Sequence, residues 1–160
     1  MNIRTMRRED ETAVFEMMRA FYDSPALIHK SSDAVLRRDI ADCLSDLPFV
    51  EGYIFEEEGE VIGYSMIAKS YTTEYGGLCI WIEDLYFKEG SRGKGYAGEY
   101  FAFLEQKYKD AVRFKLEVEK ENEAAVASYK KNGYEVSEYF LMTKEMNKDE
   151  EAQDAGTDRA

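Results

Sequence analysis

The run Ser91-Arg92-Gly93-Lys94-Gly95-Tyr96-Ala97-Gly98 carries the residue types in this chain that point most directly to a ligand. Glycines between a strand and the start of a helix let backbone N–H groups approach a phosphate closely, and the helix dipole favours negative charge at that end. Read as Gly93-x-Gly95-x-x-Gly98, the run matches a dinucleotide-binding fingerprint, with Glu117 or Glu119 about 20 residues on as a ribose-binding acid. Placement rules this out. In a dinucleotide fold the glycines follow the strand almost directly, whereas here Lys88 to Arg92 intervene, two of them basic. Residues 99–160 are also too few for the second half of a doubly wound sheet and a substrate domain. A P-loop is excluded because no Gly-Lys-Ser/Thr occurs.

Just upstream stand two adjacent acids, Glu83 and Asp84, inside LCIWIEDLYF, the most strand-like run in the chain. A carboxylate held at a reacting centre can serve as a general base, an effect of about 10²- to 10⁴-fold. Successive strand residues point to opposite faces, so Glu83 and Asp84 can share a pocket only if a bulge intervenes.

The elements that must position these residues follow from periodicity. Residues 2–6 read as an opening strand. Asp10 is placed to cap a helix carrying Val14, Met17, Met18 and Phe21, which stops at Ser24-Pro25. Ser32 opens a second helix with Leu36, Ile40, Cys43, Leu44 and Leu47 on one side, ended by Pro48. The period then changes to two: GYIFEE and VIGYSMIAKSYT form a hairpin with Glu58-Gly59-Glu60 at its tip, and LCIWIEDLYF is the next strand. The glycine turn leads into a helix with Tyr100, Phe101, Leu104 and Tyr108. VRFKLEV is another strand, residues 123–132 a short helix closed by Asn132-Gly133, and YEVSEY and FLMTKEM two final strands. The order βααβββαβαββ describes a mixed α/β fold: a mostly antiparallel sheet with a central parallel β-α-β unit and helices on both faces.

Respaced as Arg92-x-x-Gly95-x-Ala97, the glycine turn resembles the Arg/Gln-x-x-Gly-x-Gly/Ala pyrophosphate motif of the GNAT acetyltransferase superfamily. Trp81 to Phe87 (WIEDLYF) stands where that family has its central strand, and Asn122 to Tyr134 (NEAAVASYKKNGY) is similar to its Asn-x(6)-Tyr-x(3)-Gly-Tyr/Phe segment. The resemblance covers about residues 3–146, and SYTTEYGGLCIWIEDLYF is further similar to the diamine and polyamine acetyltransferase branch. It implies acetyl-coenzyme A as co-substrate, with no metal, and direct transfer of acetyl to a primary amine of a small molecule such as a polyamine or amino acid. It also implies that backbone groups of Arg92, Gly93, Lys94, Gly95, Tyr96 and Ala97 cradle the pyrophosphate, while the backbone of Leu85, Tyr86 and Phe87, with Asn122, holds the pantetheine arm.

A protonated amine cannot attack a thioester. Freeing its lone pair at pH 7 costs roughly 4.6 kcal/mol for an amine of pKa ~10.4. The resemblance to the polyamine branch favours Glu83 as the base that takes this proton and leaves Asp84 as a substrate-amine contact. The departing thiolate needs a proton, and Tyr129, in the Asn-to-Gly segment seven residues after Asn122, fits that role by the same resemblance. Asn122 also suits a helix cap. Acylation of a protein amine is a second enzyme reading, and a coenzyme-binding sensor without turnover is a third, against which the presence of both Glu83 and Tyr129 argues.

Composition bounds the rest. The 21 basic and 33 acidic residues give a net charge of −12, which opposes nucleic acid; an acidic surface would favour cationic substrates, although a solvated surface that serves solubility alone is the commoner reason for such an excess. No run approaches the ~20 apolar residues of a membrane span, and MNIRTMRRED lacks an apolar leader, so no membrane partner and a cytoplasmic location are expected. Cys43 and Cys79 are expected as free thiols, and the single histidine, His29, as a loop residue without a catalytic role. Residues 1–146 are expected to form one transferase domain, homodimeric by resemblance, and 147–160 a flexible polar tail.

Overall fold

Five strands pair in the order β1-β2-β3-β4-β5, and the central ones are buried over continuous runs, as Gly52–Phe55 and Ile62–Ile67 are, because helices cover both sheet faces. The computed structural model describes residues 1–146. Its elements are β1 (Asn2–Thr5), α1 (Glu11–Tyr22), α2 (Asp33–Cys43), β2 (Val50–Glu57), β3 (Glu60–Thr72), β4 (Gly77–Phe87), α3 (Tyr96–Lys107), β5 (Ala111–Leu116) and α4 (Glu123–Lys131), with short 3-10 turns at 8–10 and 89–91. Pairing is antiparallel from β1 to β4 and parallel between β4 and β5, the two strands joined through α3. The mixed α/β architecture and its central parallel unit are therefore those expected.

Each sheet face has its own core. One face carries Ile54, Tyr64 and Met66 against Val14, Met17 and Met18 of α1 and Leu36 and Ile40 of α2. The other carries Tyr53, Phe55, Ile67, Ile80 and Ile82 against Tyr96, Tyr100, Phe101 and Leu104 of α3. Fully burying an apolar side chain of this size contributes about 1.5–3 kcal/mol. Both helical layers are thus fixed to the sheet that carries Glu83 and Asp84.

Three expectations are corrected. The acid expected to cap α1, Asp10, makes no side-chain bond to that helix. It instead accepts both guanidinium nitrogens of Arg4, at 2.7 and 2.8 Å, and the Arg7 amide at 2.8 Å, because a buried carboxylate gains more from a bidentate cation than from a cap. The second helix stops at Cys43, short of Pro48. There Ser45 turns its hydroxyl back onto the Asp42 carbonyl at 2.7 Å, and Leu47 is left exposed. Finally, residues 134–139 and 140–146 form no strands. No glycine, proline, asparagine or aspartate lies between the two expected strands to turn the chain, so no hairpin closes. The tail expected at 147–160 lies outside the described residues.

Where β3 passes β4, Gly63 brings the two backbones close: an added Cβ would lie 2.3 Å from the Tyr86 carbonyl oxygen and 3.0 Å from the rings of Phe55 and Phe87. Gly63→Ala is therefore expected to destabilise the fold by about 1–3 kcal/mol in urea unfolding. Gly90→Ala, whose added Cβ meets nothing within 4 Å, should stay within about 0.5 kcal/mol of the parent.

Candidate active site

The register between β3 and β4 slips by one residue in the middle of the sheet. Met66 pairs with Asp84 and Ile67 with Ile82, so Glu83 is the extra residue of a β-bulge. The bulge cancels the alternation that would send neighbouring side chains to opposite faces. Glu83 and Asp84 both open onto one pocket of about 260 Å³, walled by Tyr22 of α1 and by Asp39, Asp42 and Cys43 of α2. Among the described residues, no lysine, arginine or histidine lines it.

Asp84 forms the floor. It is 4% exposed and accepts hydrogen bonds from the Tyr64 hydroxyl at 2.9 Å and the Tyr22 hydroxyl at 3.2 Å. Its backbone carbonyl accepts from the buried Ser65 hydroxyl at 2.6 Å, which ties down the bulge on its β3 side. Burial pushes the Asp84 carboxyl up to about 6, against the opposing pull of the two tyrosine donors. Glu83 keeps contact with solvent, yet its carboxyl is pushed up to about 7, first by partial burial and then by the negative charge of Asp84, Glu117 and Asp39. Asp39 is also raised, by burial and then by Asp42. The pocket thus holds a carboxyl poised to exchange a proton near neutrality, in surroundings that favour a cation.

A second feature lies at the end of β4. The β4–β5 ladder finishes at Ile82–Leu116, while β4 runs on to Phe87. On that side the backbone groups of Leu85, Tyr86 and Phe87 have no β5 partner, although on the other side they pair with Ser65, Tyr64 and Gly63. The glycine turn follows. Gly93 and Gly95 have φ of +75° and +86°, which side-chain-bearing residues rarely adopt, and an added Cβ at either would meet nothing within 4 Å. Gly95 is the N-cap of α3 and offers no side-chain acceptor, so the first-turn amides of Tyr96 and Ala97 keep their donors for a ligand. Arg92 donates through Nε to the Phe87 carbonyl at 2.9 Å and lies over the Tyr86 ring. Uncapped amides, two left-handed glycines and open space together fit a pyrophosphate.

Not every expected side chain points to this site. Lys94 is tied to Glu57 at 3.1 Å, and the Tyr96 hydroxyl donates to the same carboxylate, so both serve the turn through their backbones. Asn122 caps α4, accepting from the Ala125 amide at 3.2 Å. Tyr129 packs with Phe101 and Tyr134 and does not line the acidic pocket. Burial raises its hydroxyl pKa, which keeps the proton on at neutral pH. His29 is exposed in the loop between α1 and α2, and Cys43 and Cys79 are free thiols. Sequence reading missed Tyr22, Tyr64, Asp39 and Asp42. The last two are three residues apart on one helix and could have been read as sharing a face, but nothing local announces that Tyr22 and Tyr64 meet Asp84.

Removing one donor from Asp84 provides a check. Tyr64→Phe is expected to raise the Asp84 carboxyl above about 6, followed by carboxyl-carbon NMR across pH; an unchanged titration would mean that the Tyr64 hydrogen bond does not set it.

Comparison with known proteins agrees with this layout. No curated relative matches the sequence. Among solved structures, a possible acetyltransferase from Clostridium difficile 630 superposes with a TM-score of 0.77 at 22% identity, over 91% of this chain and 97% of that one. A predicted acetyltransferase with acetyl-CoA from Clostridium acetobutylicum gives 0.71 at 22%, over 89% and 95%. The aminoglycoside enzyme AAC(6')-Iy, in complex with a bisubstrate analogue, gives 0.74 at 15%, over 91% and 97%. At these identities the likeness is one of fold. The model of the acetyltransferase (GNAT) family matches residues 12–134, most of the chain, and the protein therefore belongs to that family.

Proposed function

We propose that this protein transfers the acetyl group of acetyl-coenzyme A to a primary amine of a small cationic molecule, with Glu83 as general base. The observation that carries the reading is the bulge that sets Glu83, with its carboxyl near neutrality, beside Asp84, Asp39 and Asp42 in one acidic pocket. A polyamine-like substrate suits it better than a neutral one, because the four acids favour a second positive charge. Asp84 and the α2 acids hold the ammonium, and Glu83 takes its proton.

The raised carboxyl matters energetically. Moving a proton from an amine of pKa ~10.4 to an ordinary glutamate costs roughly 8 kcal/mol, and to one near 7 roughly 4.6 kcal/mol. Coenzyme A supplies the activated thioester. The freed amine nitrogen bonds to the acetyl carbon as the carbon–sulfur bond breaks; the Tyr129 hydroxyl gives its proton to the leaving sulfur, and the second proton shed by the nitrogen as it becomes an amide restores that hydroxyl. Tyr129 is suited to this by its protonated state. The amides of Gly93 to Ala97 would hold the pyrophosphate, with Arg92 beside them, and the backbone of Leu85 to Phe87, beyond the end of the β5 ladder, the pantetheine arm, aided by Asn122. In this reading residues 1–146 form the transferase domain, and the protein acts in the cytoplasm as a homodimer.

Glu83→Gln is expected to lower kcat at pH 7 by about 10²- to 10⁴-fold while acetyl-coenzyme A affinity by calorimetry stays within about twofold. An equal fall in affinity would mark Glu83 as structural. Because the base must be ionised, kcat/KM of the parent should climb as pH rises through about 7, a limb that Glu83→Gln removes. A thiol-release assay over polyamines, amino acids, aminoglycosides and lysine peptides should show turnover concentrated on small polycations. Turnover confined to lysine peptides would overturn the small-molecule reading, and tight coenzyme binding with no turnover at all would indicate a sensor.

A further inference from the structure

The acidic pocket continues sideways along the sheet. Register places Val50 opposite Ala68, Ala68 opposite Trp81 and Trp81 opposite Lys115, one row across four strands. Residues directly opposite one another on neighbouring strands share a face of the sheet. Val50 and Ala68 line the pocket that holds Glu83 and Asp84, so the row carries the pocket floor on to the indole of Trp81. Whereas Tyr64 and Met66 on this face lie under α1 and α2, Trp81 packs into neither apolar core and stays half-buried.

A cation already sits on this indole. The Lys115 ammonium lies 5.2 Å from the ring centroid and, among the described residues, forms no ion pair. Within about 6 Å of its centroid an aromatic face attracts positive charge, so the contact shows what the indole can hold. One more acid stands close by. Glu117 follows the last rung of the β4–β5 ladder, Ile82–Leu116, just as Glu83 does on the neighbouring strand, and its charge is felt at Glu83.

We propose that Trp81 forms a distal cation subsite of the acceptor pocket, in which Lys115 stands in for the far ammonium of a long aliphatic diamine. The inference rests on the acidic acceptor pocket proposed above and specifies which cationic amine it takes. The amine that loses its proton sits at Glu83, the hydrocarbon spacer crosses Ala68, and the second ammonium replaces Lys115 over the indole with Glu117 nearby. Glu83 and Trp81 are two residues apart on β4, about 7 Å at ~3.3 Å each, so a spacer must bridge them. A diamine too short for that step, or a monoamine with no second charge, leaves Lys115 in place.

Trp81 is the single tryptophan of the chain, so its emission reports on the subsite without turnover. Titration of the full chain with diaminoheptane should shift that emission saturably, with binding at least about 3-fold tighter than for diaminopropane or heptylamine. Lys115→Met keeps the stem and removes the competing ammonium, and should widen this preference. In thiol release with acetyl-coenzyme A, Trp81→Leu should raise KM for diaminoheptane relative to diaminopropane by about 3- to 30-fold, the range of one cation–π contact, with kcat within about twofold. Trp81→Phe, which keeps an aromatic face, should recover part of the preference. The emission titration and Lys115→Met do not depend on the Trp81 variants folding. Heptylamine that binds as tightly as diaminoheptane, or a preference that Lys115→Met leaves unchanged or narrows, would overturn the subsite. Turnover of both diamines with no preference for Trp81→Leu to alter would overturn the subsite alone. No acetylation of any amine, with the emission preference intact, would overturn the transferase reading and leave the subsite standing.

Discussion

Asp84 is an acid taken almost entirely out of water, and the region around the pocket is arranged to make that tolerable. Two tyrosine hydroxyls, one from α1 and one from β3, supply the hydrogen bonds that water would have given. Leaving such a group without partners would cost several kcal/mol, so Tyr22 and Tyr64 constrain where the first helix and the third strand can sit. Ser65 completes the arrangement by holding the Asp84 carbonyl and, with it, the bulged backbone. Glu83 faces the pocket because of this bulge. The placement of one acid therefore depends on the burial of its neighbour.

The same strand links the two halves of the site. Upstream of the bulge, β4 is locked between β3 and β5; downstream, it keeps β3 and leaves β5 behind. A strand with one free side is normally a liability, but here it leads through the glycine turn to the uncapped start of α3, so the part of β4 without a β5 partner and the helix-end amides serve the same side of the site. An added Cβ at Gly98 would sit 2.9 Å from the Asn132 side-chain oxygen, so α3 and α4 meet closely behind this region. Tyr129 and the phosphate turn are thereby held in fixed relation.

Much of this was written locally. The glycine turn was legible because positive φ and close approach demand glycine, and Asn122 and Ser32 were legible as caps because side-chain oxygens satisfy first-turn amides. Glu83 and Asp84 could be named, and the need for a bulge stated, from strand geometry alone. That the bulge exists could not be read, since it depends on the register of β3 against β4, which is set by distant packing. Asp10 misled for a related reason: its local role as a cap lost to Arg4, six residues away but facing it across the fold. The two last strands were misjudged because alternation and β-branched content describe what a segment can do with a partner, and this segment pairs with no strand among the described residues.

The acidic pocket has a consequence for how quickly molecules arrive. The acids at one opening, Glu83 among them only partly ionised near neutrality, on a chain of net charge −12, make a field that extends roughly a Debye length, ~8–10 Å, into physiological solution. A cation drifting past is captured from a wider cross-section than the pocket mouth, and an anion is turned away. That field weakens as ionic strength rises, so the advantage of a cationic substrate over a neutral one of the same shape is a property of the medium as well as of the protein. Selectivity here is partly a matter of traffic, decided before any contact is made.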